Sequence, residues 1–452
     1  MTDHLQTTEH APTTLAASAE PVAPAETPAP RLRHFAGFDG LRAIAAVSVL
    51  LLHTAWDSGF TLRSPWGIYT SRLDIGVAVF FLISGFLLYR PFAASHLAGR
   101  AEPAIGRFWM RRLLRIVPAY WLALTVLCYG FHIISMGSGW RGVLAHYGFL
   151  QIYWPAESFN GIPQAWSLAT EMSFYLFLPL FAVVVAFRSR PGRPQLRREL
   201  VGVAGLVAIS YGFRIWALNI PYTTVRNGKI VADCSPNCLT HPLFSSLFVT
   251  WLPAYLDLFA FGMLLAVASS WYALRDREPA WAAHPLFPWL SWGGAALTFW
   301  AVSHLGIDRS PLYVVTPAVN LERQALYGVF SFLLLLPAVF GPQQQGLIRR
   351  LLSSWPMMAV GTVSYGVYLW HMNLAQLEMK WFHLKVQATP FWLVALPVLA
   401  MALAAAAGSY FVLEKPILRL KDRIGWWNRP AAAPPAATAA DQPPRAEAVV
   451  AP

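Results

Sequence analysis

Apolar residues arrive along this chain in blocks of roughly 20, the length of helix needed to cross a hydrocarbon core of about 30 Å. Ten such blocks lie near 38–56, 74–90, 114–135, 166–187, 199–217, 246–269, 286–305, 323–340, 357–378 and 391–413. Backbone amides in lipid must be satisfied within their own segment, so the blocks are predicted to be helices. The expected fold class is therefore all-α, a polytopic membrane protein of about ten transmembrane helices spread over residues 35–422. Residues 1–34 are rich in Ala, Thr and Pro and lack the basic, apolar and small-residue succession of a cleavable signal peptide. That segment and the Pro/Ala-rich 423–452 are read as disordered cytoplasmic tails.

Composition supports the membrane reading: 56% of the 452 residues are hydrophobic and 12% are charged. A soluble domain carries about 25% charged residues. The net charge of +12 acquires its meaning from where the basic residues fall. With the N-terminus inside, cytoplasmic segments collect the arginine-rich stretches 107–115, 188–198 and 415–429. Outside loops hold only Arg63, Arg72, Arg141, Arg226, Lys229, Arg309, Lys380 and Lys385. This asymmetry predicts a multi-pass protein of the cell membrane with both termini cytoplasmic. It accounts for the positive charge without a nucleic-acid partner. Cys128 reads as a small packing residue, and Cys234 and Cys238 share an outside loop where a local disulfide is open. The histidine spacing never sets two ligands on one helical turn beside a third group, so no metal site is expected.

Ionisable residues inside spans are costly, and each is a candidate site. Arg42 and His53 share the first span, eleven residues apart. At about 100° and 1.5 Å per residue they fall within about 20° of one face and about 16 Å apart along the axis. Arg42 sits at the cytoplasmic edge and His53 near the outer edge; the competing reading is a snorkelling Arg and a His satisfied by a carbonyl. Glu171, on a span running the other way, falls at a depth similar to His53, as a general base and its orienting partner would require. A helix N-terminal acid favoured by the macrodipole explains the same position. Ser364, Tyr368 and His371 recur at spacings of four and three, hence on one stripe, an arrangement that also serves as interhelical glue. Arg112 and Arg115, one turn apart before the third span, present two guanidinium forks to one side, a geometry suited to phosphate. Positive-inside anchoring is the alternative for that loop.

Taken together these stretches resemble the acyltransferase type 3 family of membrane acyltransferases, from about Phe38 to Leu420. The resemblance is carried by the DGLRAIA opening with Asp39 and Arg42, the Arg42 to His53 spacing, GVAVFFLISGFLL, Arg112 and Arg115 followed by IVPAYW, WSLATE with Glu171, SYGVYLWH, and FVLEKP with Glu414 and Pro416. Each motif is short, and it is their order on ten spans that makes the match specific. The resemblance implies an enzyme that uses acyl-coenzyme A as donor substrate, with no permanently bound cofactor. It implies O-acylation of a carbohydrate of the cell envelope, a glycolipid or a glycosylated natural product. Carried over by position, His53 is the catalytic histidine, Arg42 its motif partner, and Arg112 with Arg115 the donor side; Asp39, Ser364, Tyr368 and His371 are further candidates. No SGNH-type esterase domain follows the membrane part, so the chain is expected to complete transfer alone or with a separate envelope enzyme.

The residues and the resemblance suggest one route. Donor phosphates dock on the cytoplasmic arginines, and the pantetheine arm threads along the first helix to deliver the thioester to His53. His53 deprotonates the acceptor hydroxyl while Glu171 holds the imidazole, or forms an acyl-histidine. A secondary transporter or proton-coupled membrane protein would also place ionisable residues in spans, but no inverted repeat is visible. An inactive scaffold relative is the third reading, opposed by the retention of Arg42, His53 and Glu171.

Overall fold

The structure, a computed structural model, describes residues 35, 37–137, 139–154, 157–158, 160–188, 190–219, 223–226, 229–232, 248–306, 309, 316–342 and 345–423. The two expected tails, along with Cys234 and Cys238, lie outside the described residues. Among the described residues, ten helices of 17 or more residues each overlap one of the ten predicted blocks. They are α1 (Gly37–Asp57), α2 (Ile75–Ala98), α3 (Ile105–Thr125), α4 (Trp166–Ala186), α5 (Arg193–Leu218), α6 (Leu256–Ala273), α7 (Phe287–Ser303), α8 (Pro317–Val339), α9 (Trp355–Trp381) and α10 (Phe391–Ser409). A small antiparallel pair, β1 (Thr223–Arg226) with β2 (Lys229–Ala232), lies between α5 and α6, in register Thr223 to Ala232.

The chain is an all-α polytopic membrane protein in its long elements, but length and apolarity together qualify seven segments to cross a bilayer among the described residues, not ten. Those seven contain α1 to α6 and α10. The other three fall short for different reasons. Helix α7 has only 17 residues. Helix α8 carries Asn320, Glu322 and Arg323 in its first two turns. Helix α9 interleaves Ser, Thr, Tyr, His, Asn and Gln with its apolar residues. A polar helix of this kind is stable in a membrane only where neighbours cover it, and Ser364, Tyr368, His371 and Asn373 of α9 are all buried.

Packing explains which faces turn inward. Helix α2 lies along α6, α1 against α9, and α9 against α10, with α7 paired to α8. Two crossings depend on glycine. A β-carbon on Gly262 would stand 2.1 Å from the Leu82 carbonyl oxygen, and one on Gly85 would stand 2.2 Å from that of Phe259. On α9, a β-carbon at Gly361 would stand 2.0 Å from the Asp39 carbonyl oxygen. Small residues let membrane helices approach to backbone contact, where dispersion supplies what the hydrophobic effect cannot. The α1–α9 contact sets the start of the first span, with Asp39 and Arg42, beside Gly361 and the Ser364 turn. Helix α1 ends at Asp57, and the chain reverses through Gly59 with φ 81°, a left-handed conformation that glycine adopts without penalty. At the far end of α8, Arg349 donates from Nε to the Pro337 carbonyl at 2.9 Å and from Nη2 to that of Phe340 at 2.9 Å. These bonds satisfy carbonyls that a helix C-terminus leaves open, although burial pulls the Arg349 pKa below its ordinary value.

Candidate active site

Helices α1, α2, α3, α4 and α9 line a pocket whose empty volume, open solvent included, is about 770 Å³. Arg42, Arg112, Arg115, Glu171, Ser364 and Tyr368 all line it. Six side chains chosen from four separate sequence stretches thus meet in one place. Three guanidinium groups face a single carboxylate there, leaving the lining cationic.

The arginines differ in how far the protein satisfies them. Arg42 Nη1 donates to Asp39 Oδ1 at 3.1 Å, one turn back on α1, and the pair is partly exposed. Arg112 has a buried Nε without a hydrogen-bond partner among the described residues, and its guanidinium lies 5.9 Å from the Phe108 ring. The sequence places Arg112 and Arg115 in a loop, but α3 already begins at Ile105, so both stand within a formed helix. Spacing of three residues then puts them on one side, as their shared place in the cavity wall reflects.

Glu171, one turn into α4, accepts from Ser84 of α2 and, at 2.7 Å, from the Tyr175 hydroxyl one turn further on. Nothing ties it to His53. Tyr368 reaches the start of α4, where its hydroxyl is 2.8 Å from Ser167 Oγ and donates to the Gln164 carbonyl at 3.1 Å. Ser364 donates to the Gly361 carbonyl of its own helix at 2.7 Å. Tyr365, beside it, donates to the Ile116 carbonyl of α3 at 2.9 Å. These bonds pin α9 against α3 and α4, and so fix the cavity wall.

His53 is absent from the cavity lining and pairs instead with His371. His371 Nε2 is 3.0 Å from His53 Nδ1, with ring centroids 5.1 Å apart. The His371 ring is also 5.8 Å from that of Tyr368, which belongs to the cavity wall. His371 is fully buried and His53 half-buried. Of the candidates, then, Arg42, Arg112, Arg115, Glu171, Ser364 and Tyr368 share the cavity, Asp39 holds Arg42, and His53 and His371 form an adjoining pair.

Several polar groups are not among the sequence-derived candidates. Ser84, Ser167, Tyr175 and Tyr365 line the cavity; the first two and Tyr365 fall inside the motif stretches, but neither charge nor spacing singles them out there. Arg214 and Asp257 are ionisable residues inside spans and meet the criterion that selects Arg42. Asp257 accepts from Ser210 at 2.9 Å and from Gln324 at 2.9 and 3.0 Å. Arg214 donates to the Ala254 carbonyl at 2.8 Å and to Asn320 at 2.8 Å. Near the other end, buried Glu199 accepts from Tyr89 and from Gln195 at 2.8 Å, and lies 2.7 Å from His96 Nδ1. Among the described residues there is no group of three His, Cys, Asp or Glu arranged to hold a metal.

Comparison with known proteins agrees with this picture. The profile of the family described as "Acyltransferase domain" matches residues 35–411. Acyltransferase MdmB of Streptomyces mycarofaciens is 26% identical over 90% of this chain and 96% of its own length. O-acetyltransferase OatA of Staphylococcus aureus is 24% identical over 85% of this chain, which spans only 57% of that protein. Nodulation protein 10 of Rhizobium leguminosarum bv. viciae is 24% identical over 86% of this chain and 95% of its own length. No solved structure gives a significant match.

Proposed function

The chain belongs to the acyltransferase type 3 family of membrane acyltransferases, and from that premise we propose that it moves an acyl group from cytoplasmic acyl-coenzyme A to a hydroxyl of a carbohydrate, a glycolipid or a glycosylated natural product. Residues 35–422 form the catalytic membrane domain in this reading, with all ten long helices crossing the membrane and both chain ends on the cytoplasmic side. The observation that carries it is the cationic cavity of Arg42, Arg112 and Arg115, bounded by Tyr368, beyond which lies the histidine pair. A polyanionic donor carrying a thin acyl-bearing arm suits such a space. Its phosphates would be met by charge-assisted hydrogen bonds from the guanidinium forks. That one relative is named an O-acetyltransferase supports an oxygen acceptor.

His53 acts as the base. It takes the proton of the acceptor hydroxyl as the oxygen attacks the thioester carbonyl. The tetrahedral adduct collapses with cleavage of the carbon–sulfur bond, and the departing thiolate recovers the proton from the imidazolium. General-base assistance of this kind contributes about 10² to 10⁴ in rate. Burial of the thioester away from bulk water limits its hydrolysis. Glu171, held by Ser84 and Tyr175, belongs with the arginines in this scheme, as the counter-charge that shapes the donor cavity.

The test is acyl transfer by purified protein in lipid nanodiscs, followed as release of free coenzyme A dependent on added acceptor. His53→Ala is expected to abolish turnover while the variant remains inserted and monodisperse. Activity within a few-fold of wild type would remove His53 from the chemistry.

A further inference from the structure

His371 has no role in the scheme above, yet its hydrogen bonds constrain the base. Its Nδ1 is 2.8 Å from the Tyr368 carbonyl oxygen and 3.2 Å from that of Val367. Carbonyls only accept, so Nδ1 carries the hydrogen, and neutral His371 must present a bare Nε2. That Nε2 faces His53 Nδ1 at 3.0 Å, and the same His53 Nδ1 lies 2.9 Å from the Val49 carbonyl oxygen. Two acceptors surround one nitrogen. If His53 Nδ1 were bare, its lone pair would confront the Val49 oxygen at hydrogen-bond distance with no proton between them. A proton on His53 Nδ1, shared between Val49 and His371, satisfies every contact in the pair.

We infer that His371 is a positioning residue that holds His53 in the Nδ1–H tautomer and so leaves His53 Nε2 as the basic nitrogen. This inference rests on the reading of His53 as the base. When His53 Nε2 takes a proton, Nδ1–H keeps both of its acceptors, so the imidazolium gains two partners and no group has to move. The burial of His371 matters here. It is fully enclosed, so no water competes for its Nε2, and the α9 backbone fixes its orientation through the two carbonyl contacts. A histidine is suited to this post because one ring couples a backbone anchor at Nδ1 to an acceptor at Nε2. A wrong-tautomer imidazole would present N–H to the acceptor hydroxyl and could not remove its proton.

Two isosteres separate positioning from packing. His371→Asn places an amide near the Nδ1 position and can keep the helix contact, but does not reach His53. His371→Gln reaches the Nε2 position and offers an amide oxygen to the His53 proton. In nanodiscs, Asn is expected to lower kcat about 100-fold with little change in KM for either substrate, and Gln to recover kcat to within about tenfold of wild type. Nitrogen-15 spectra of histidine-labelled protein should show one protonated His53 Nδ1 in the wild type and a tautomer mixture in His371→Asn. Equal kcat for the Asn and Gln variants, or an unchanged His53 tautomer in His371→Asn, would overturn the inference. An inactive His53→Ala beside fully active His371 variants defeats this inference alone. An active His53→Ala defeats the base assignment itself.

Discussion

Removing the Arg112 guanidinium should weaken donor use specifically, because this is a cavity arginine whose Nε the protein leaves buried and without a partner. In the proposed complex that group gives one charge-assisted hydrogen bond, worth about 1.5 to 3 kcal/mol. At about 1.4 kcal/mol per decade, Arg112→Ala should raise KM for acyl-coenzyme A about 10- to 100-fold. Turnover at saturating donor and KM for the acceptor should stay near wild type, the signature of lost uniform binding. Arg112→Lys keeps the charge but loses the planar fork, so it should fall between the two. Steady-state rates in nanodiscs, varying donor at fixed acceptor and the reverse, measure all three. If Arg112→Ala leaves donor KM unchanged in a folded protein, the arginine is a membrane anchor and the phosphate reading of the cavity is wrong.

The remaining predictions concern stability. Gly262→Ala puts a methyl 2.1 Å from the Leu82 carbonyl oxygen and should cost about 1 to 3 kcal/mol, lowering the thermal midpoint; Gly293→Ala, whose new carbon meets nothing within 4 Å beyond its chain neighbours and own helix backbone, should not. Arg349→Ala strands the Pro337 and Phe340 carbonyls and should cost about 3 kcal/mol; an unchanged midpoint would show that water replaces them. His146, in the short helix Trp140–Tyr147, is buried, and desolvation lowers its pKa against the opposing pull of Glu157. The unfolded chain therefore binds the proton more readily below about pH 6.5, so stability should fall as pH drops through that value. His146→Gln should flatten this slope, and an identical slope in the variant would refute the assignment.

Much of the fold was legible because a bilayer demands long apolar segments, and α1 to α10 each overlap a predicted block. Boundaries were less so. Helix α3 starts at Ile105, nine residues before the block at 114, because its arginine-rich first turns are helical without being apolar. Block hydropathy also could not tell that α9 is buried by its neighbours. The antiparallel pairing of β1 with β2 lies outside the apolar blocks and was not anticipated by them. Within the site, helical spacing places Arg112 with Arg115 correctly, since that relation is local to one helix. Depth matching pairs Glu171 with His53, but depth leaves the rotation of each helix free, and α4 turns Glu171 toward Ser84 and Tyr175.

What separates site from scaffold among the charges of this membrane protein is satisfaction, which composition and spacing do not encode. Asp257 and Arg214 are as buried as any candidate, yet Asp257 accepts from Ser210 and Gln324, and Arg214 donates to Ala254 and Asn320. An ion-coupled transporter would need such groups to exchange partners with a passing ion. A closed network of this kind, tying α5, α6 and α8 together, instead resists rearrangement, since breaking any bond leaves a costly buried group. Arg112 is the contrary case, with a buried donor left over among the described residues and a side chain that lines the empty cavity. His53 is intermediate: its Nδ1 is doubly met while its Nε2 takes no bond among the described residues. Three cavity arginines that share one carboxylate and an imidazole with one nitrogen held and the other spare are incomplete in complementary ways, and a thioester donor carrying phosphates at one end completes the first while the acceptor hydroxyl completes the second.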